Sequence, residues 1–237
     1  MEEEYYLTEE QRIQQELNKT EKKKKNRKKA AVVWIILGII VIGVIGFWIY
    51  DATRPVAQRK PVIYLYPEET TEVSVKLDFK GKLTSVYPKH ENGWTVTAEK
   101  DGTLTDASGK KYNYLFWEGE SDVKFDMSEG FCVKGSDTAA FLEEALAKLG
   151  LNSREANEFI VYWLPLMEQN NYNVISFQGE AYTDQAKLTV SPEPDTVIRV
   201  FMTWYGSRKP VKIPEQVLSA PERTGFTVVE WGGSEIR

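Results

Sequence analysis

The sequence predicts an α+β, β-rich protein: a single N-terminal transmembrane helix, then one external domain of antiparallel strands with an inserted two-helix hairpin. Three observations predict it. Residues 30–50 read AAVVWIILGIIVIGVIGFWIY without a single charge. From residue 61 onward, apolar residues recur with the two-residue period of half-buried strands. Between residues 136 and 167 that period gives way to helical spacing in two successive runs. Strands, a helix pair and strands again is the order of an α+β domain, not of alternating α/β units.

Composition alone conceals this layout. The chain has 237 residues, 42% apolar and 27% charged, with a net charge of −5. Such averages exclude a disordered chain, and the single cysteine, Cys132, excludes a disulfide-stapled scaffold. The charge is segregated. Residues 1–29 hold seven acids and nine bases, a balance of +2, and residues 51–237 hold 28 acids and 21 bases, a balance of −7. An acidic body repels polyanions, so nucleic acid is excluded as its partner.

Twenty-one helical residues from Ala30 to Tyr50 extend about 31 Å, the thickness of a bilayer's hydrocarbon core. Trp34, Trp48 and Tyr50 stand near the ends, where aromatic rings favour the headgroup level. The run is too long for a signal-peptide core, and no clear small-x-small cleavage site follows it. Seven cations crowd the eight residues from Lys22 to Lys29, against Arg54, Arg59 and Lys60 on the other flank. The positive-inside rule then predicts a single-pass protein of the cell membrane, N-terminus cytoplasmic and C-terminal domain outside. The lipid bilayer is the expected partner of Ala30 to Tyr50, and anionic headgroups that of Lys22 to Lys29. Gly38, Gly43 and Gly46 lack the four-residue spacing of a dimer seam. The tail, with Glu2, Glu3, Glu4, Glu9 and Glu10 early and its bases late, reads as a solvated helix running into the span. Residues 51–60, containing Pro55, read as a linker, and 61–237 as the external domain.

Within that domain Val73, Val75, Leu77 and Phe79 alternate with polar residues and predict a strand. Asn92-Gly93 and Asp101-Gly102 predict hairpin turns around Trp94, Val96 and Ala98. Residues 61–134 read as about six strands in a sandwich or barrel-like unit. Ser136 is the expected cap of a first helix carrying Phe141, Leu142, Ala145, Leu146 and Leu149, stopped by Gly150. Asn152 and Glu155 have the spacing of a capping box for a second helix, which Pro165 should kink or end. Strands are expected again at 173–178, 187–190, 197–205, 211–213 and 226–231.

Metal and nucleotide signatures are absent: there is no HExxH, CxxC pair, EF-hand loop, P-loop or GxGxxG. No cofactor and no metal is expected. Two constellations could carry chemistry. Trp117, Glu118 and Glu120, Trp204 and Tyr205, and Glu230 and Trp231 combine rings with carboxylates, as glycan sites do. Glu118 and Glu230 are the candidate acid pair of a hydrolase, and Trp117, Trp204, Tyr205 and Trp231 the candidate ligand platforms. His90, Cys132 and Arg199 occur in the chain order of a thiol transpeptidase, in which imidazole forms the thiolate and arginine holds the oxyanion. The TLxTC signature of sortases is missing, however, since Cys132 stands in MSEGFCV.

Four separated stretches, KPVIYLYP (60–67), YLFWEG (114–119), REANEFIVYWLPLME (154–168) and GFTVVEWGG (225–233), resemble an uncharacterised bacterial family of membrane-anchored domains. The resemblance covers nearly all of residues 60–233. It implies that the external body is one integral domain, and it implies no activity. The expected role is a non-catalytic binding or structural module at the bacterial cell surface, with an envelope glycan, peptide or protein as ligand. The alternative is a cell-envelope enzyme, a carboxylate-based glycan hydrolase or a Cys/His thiol enzyme.

Overall fold

Two apolar patterns build the molecule, and each forms a separate unit. A computed structural model of the protein describes residues 9–236, and divides the chain at Arg54/Pro55. Glu2, Glu3 and Glu4 of the tail lie outside the described residues. The first unit is one helix, α1 (Glu9–Ala52), of 44 residues, about 66 Å long at 1.5 Å per residue. Every large apolar side chain from Val33 to Tyr50 is exposed, Trp34 by 74% and Ile42 by 71%. It is long and apolar enough to cross a membrane.

The second unit contains twelve strands in two sheets. They are β1 (Val56–Tyr66), β2 (Thr71–Phe79), β3 (Lys82–Tyr87), β4 (Trp94–Ala98), β5 (Leu104–Thr105), β6 (Lys111–Tyr112), β7 (Leu115–Ser121) and β8 (Phe131–Lys134). The helices α2 (Thr138–Lys148) and α3 (Ser153–Met167) follow. The rest are β9 (Tyr172–Gln178), α4 (Glu180–Thr183), β10 (Ala186–Ser191), β11 (Thr196–Ser207) and β12 (Thr227–Glu235). The larger sheet has the order β3-β7-β1-β12-β11-β9-β8, and the smaller the order β10-β2-β4-β5-β6. The chain is therefore α+β and strand-rich, with one apolar N-terminal helix.

Side-chain alternation on the large sheet explains the layering. Val62 and Tyr64 of β1 join Leu142, Leu146, Phe159 and Trp163 of the helices in one core. Their neighbours Ile63 and Leu65 join Val73, Val75, Trp94 and Val96 of the small sheet in another. The large sheet is thus covered on both faces, which is why VIYLY is apolar throughout rather than alternating.

Several local expectations change. The first strand block is no separate unit, because β1, β3, β7 and β8 enter the large sheet and β2, β4, β5 and β6 the small one. The linker shrinks to a few residues: α1 runs to Ala52 and β1 begins at Val56. Polar Gln58 belongs to the strand because its Nε2 donates to Ser121 Oγ at 3.0 Å in the interior. Asn92-Gly93 does not close a hairpin but carries the chain from β3 to β4 in the other sheet. Ser136 does not cap α2, since its hydroxyl donates to Asp137 Oδ1 at 2.8 Å. Asn152 and Glu155 do form the capping box of α3. Gly150, at φ +83°, follows α2.

β11 and β12 pair in parallel, so the chain between them must return the length of the sheet. Nineteen residues make that return, between Ser207 and Thr227. The expected strand at 211–213 lies in this strap and forms none. Val211 N–H donates to Cys132 Sγ (3.2 Å) and Gly130 N–H to Pro214 O (2.8 Å), so the strap follows the β8 edge. Farther on, Arg223 Nη2 donates to Gly150 O at 2.7 Å and pairs with Glu155, tying the strap to the helix turn.

Candidate functional site

The acid pair expected from the sequence is split by the large sheet. Glu230 on β12 faces the small sheet and has no exposed surface. Its Oε2 accepts from Arg199 Nε and Nη2, both at 2.7 Å, and its Oε1 from Trp117 Nε1 at 3.0 Å. Arg199 Nη2 also reaches Ala186 O at 2.6 Å, and its guanidinium lies 4.8 Å from the Tyr182 ring centre. This is a buried ion pair within the core. Glu118 projects from the opposite face of β7, where its Oε1 accepts from Lys60 N–H at 3.1 Å. The two carboxylates share no cleft.

The expected platforms are also built into the interior. Trp117 and Trp231 are 0% exposed and Trp204 1%, while Tyr205 is half-buried. Trp117 packs between the sheets, and Trp204 and Trp231 pack under the helices. Their rings fill core volume and present no face to a ligand.

The thiol constellation does not assemble. Cys132 sits on β8 at one edge of the large sheet, whereas His90 follows β3, the strand at the other edge, in the crossing to β4 of the small sheet. His90 packs on Trp94, ring centres 4.1 Å apart, and its Nδ1 accepts from Gly93 N–H at 2.7 Å. Burial lowers the His90 pKa below 6.5. Among the described residues no three His, Cys, Asp or Glu side chains converge as a metal site.

What does converge is a shelf beside α3, on the helix-facing side of β1 and β7. Its origin is a β-bulge. From Arg59 to Val62, β1 advances three residues while β12 advances two, and it gains the same extra residue against β7. Lys60 in this bulge has φ +57°, and it is the non-glycine residue with positive φ among the described residues. Such a backbone costs about 1–2 kcal/mol, and a residue before proline is ordinarily extended. Two contacts hold it there. Glu118 accepts the backbone N–H that the bulge releases from the ladder. Gly232 on β12 lets Pro61 approach, since a Cβ on it would lie 3.0 Å from Pro61 Cα.

The bulge lifts the Lys60 side chain among half-buried rings. Its Nζ donates to Tyr114 Oη at 3.3 Å and lies 5.1, 5.7 and 5.9 Å from the ring centres of Tyr114, Phe116 and Tyr162. No carboxylate pairs with this ammonium among the described residues. Beneath, Tyr64 is fully buried, crosses Tyr114 edge-on at 5.4 Å and donates to Glu158 Oε2 at 2.8 Å. Burial and then Glu158 push the Tyr64 hydroxyl far above its ordinary pKa. Burial, with Glu118 nearby, raises that of Tyr162 against the opposing pull of Arg59. The tyrosines are neutral donors and the ammonium keeps free N–H groups. The shelf can hold a ligand, yet it offers no free acid and base flanking a reacting bond.

Sequence reasoning passed over Lys60, Tyr114, Phe116 and Tyr162. Arg59-Lys60-Pro61 stands directly before the apolar run VIYLY, and that pair of charges beside a doubly covered run is the available signal.

No protein-family model matches the chain, and no solved structure matches it. A Butyrivibrio fibrisolvens protein described as an uncharacterized protein in bglA 3'region is 43% identical over 92 residues, which are 38% of this chain and 95% of that protein. That similarity spans nearly the whole relative: the chain belongs to the family of this uncharacterized Butyrivibrio protein.

Proposed function

We propose that the chain is a single-pass, membrane-anchored binding module, with its N-terminal tail in the cytoplasm and its strand-rich body outside. The body holds an envelope ligand on the Lys60 shelf and performs no catalysis. The observation that carries this reading is the division of labour among its side chains. Glu230, Arg199, Trp117, Trp204 and Trp231 are engaged in the interior, while Lys60 and its three rings meet at the surface on a strained bulge. Strain retained at a surface position fits a site selected for its ligand rather than for stability. Support for the anchor comes from α1, whose apolar side chains from Val33 to Tyr50 have no protein cover, and from the cations at Lys22 to Lys29.

Two measurements test the reading. With Cys132 replaced by serine, Val217→Cys places a thiol at a site 95% exposed in the strap, and Leu17→Cys one at a site 54% exposed on α1. On intact cells an impermeant maleimide should label Val217→Cys and spare Leu17→Cys; the reverse pattern overturns the orientation. The full chain in nanodiscs should be retained by purified cell envelope, and Tyr162→Ala should reduce retention. Retention that ignores Tyr162 would count against the shelf.

A further inference from the structure

The geometry points to a carboxylated saccharide as the ligand of the shelf, with its carboxylate on the Lys60 ammonium and its sugar ring against Tyr114, Phe116 and Tyr162. The assignment rests on the binding-module reading above and deepens it.

Charge gives the first half of the argument. An ammonium half-withdrawn from water loses hydration, and a fold that only needed to stabilise it would supply a carboxylate. Here Glu118 accepts the backbone N–H of the same residue, Glu158 accepts from Tyr64 and lies against Arg154, and among the described residues neither forms an ion pair with the Lys60 ammonium. Lys60 therefore keeps two of its three N–H donors after the bond to Tyr114. Exposed Arg59 adds a second positive charge beside Tyr162. Arg59, Lys60 and Arg154 against Glu118 and Glu158 leave the shelf one positive charge on a body whose balance is −7, and the Lys60 ammonium is the group that selects an anion.

The rings give the second half. Tyr114, Phe116 and Tyr162 are each partly exposed around one cation. Their faces suit the C–H-lined face of a pyranose, with the Tyr114 and Tyr162 hydroxyls at hand for its hydroxyl groups. A free inorganic anion would make no use of these rings, and a neutral sugar would leave the ammonium unpaired. An acidic peptide would satisfy the ammonium but presents no C–H-lined ring face rimmed by hydroxyls. Chemistry that uses every group of the shelf is a sugar bearing a carboxylate.

The test titrates the full chain in nanodiscs with a panel of oligouronates and muramic-acid-containing oligosaccharides, each beside its carboxyl-reduced, neutral counterpart. At least one acid form should bind tenfold or more tightly than its neutral partner. Lys60→Gln should abolish that preference. Tyr162→Ala should weaken both forms. Lys60→Gly removes the charge and suits the positive φ, so loss of binding in that variant is not a loss of fold. Equal binding of acid and neutral forms, unaffected by Lys60→Gln, overturns the anionic assignment while the binding module stands. Preference for an acidic peptide over both sugars does the same. No binding of any oligosaccharide, with no retention by whole envelope, overturns both.

Discussion

Removing one partner of the Arg199–Glu230 pair should damage the body far more than removing both. Arg199→Met deletes the guanidinium whose two nitrogens contact Glu230 Oε2 at 2.7 Å, leaving a carboxylate with no exposed surface and no cation beside it, near the Trp117 N–H and buried Tyr182. Breaking a buried pair in this way costs about 3–5 kcal/mol. For a unit spanning residues 55–237, that is a fall in melting temperature of roughly 6–20 °C. In Arg199→Met/Glu230→Met no charge is left buried at this site. The remaining loss is chiefly the acceptor of the Trp117 indole, about 1–3 kcal/mol. A double-mutant cycle on the full chain in micelles, read by near-ultraviolet circular dichroism during urea and thermal unfolding, should give a coupling of at least about 2 kcal/mol. Single variants costing under about 1 kcal/mol each, or a double whose loss is the sum of the singles, would refute the reasoning.

Other consequences are equally direct. His90 is the one histidine of the chain, so its ring protons report without ambiguity, and their NMR titration should fall below pH 6.5. Because the folded pKa lies below the unfolded one, the stability from neutral His90 is complete above pH 6.5. It is lost as pH falls toward the folded pKa. His90→Phe should flatten that slope, and an unchanged slope would refute the assignment. Gly232→Ala presses a Cβ to 3.0 Å from Pro61 Cα and should cost about 1–3 kcal/mol in urea melts. It should also speed hydrogen exchange at the Lys60 amide, whereas wild-type exchange would show that the bulge does not depend on that glycine. Arg223→Ala should cost about 2 kcal/mol, less than Arg199→Met, because the Asn152 donors still satisfy buried Glu155. Lys60→Gly should stay within about 1 kcal/mol of wild type, relief at φ +57° offsetting glycine's greater freedom when unfolded.

Much of the fold was legible where a residue's neighbours in sequence decide its state. Asn152 and Glu155 announced the start of α3, and Trp94, Val96 and Ala98 announced a strand with one buried face. What alternation cannot convey is which layer a face meets. Glu230 beside Trp231 reads as a ligand-site acid, and Arg199 as the last member of a His90, Cys132, Arg199 series. Their partnership depends on β11 and β12 pairing in parallel across the strap, a contact no local pattern encodes. The shelf was illegible for a related reason. Lys60 is separated from Tyr114 by 54 residues, and its backbone departs from the extended form that proline favours. Only the pairing of β1 with two strands at once exposes the extra residue.

The bulge also sets a load path. Lys60 lies eight residues beyond the end of α1 at Ala52, a stretch of about 26 Å when drawn straight. Tension between the helix and anything gripped at Lys60 runs along that stretch alone. Its first resistance is the pairing of Val56, Ala57 and Gln58 with Ser121, Glu120 and Gly119. The two cores lie outside the line of force. On the proposed reading, a load applied at Lys60 would reach α1 without passing through the rest of the domain.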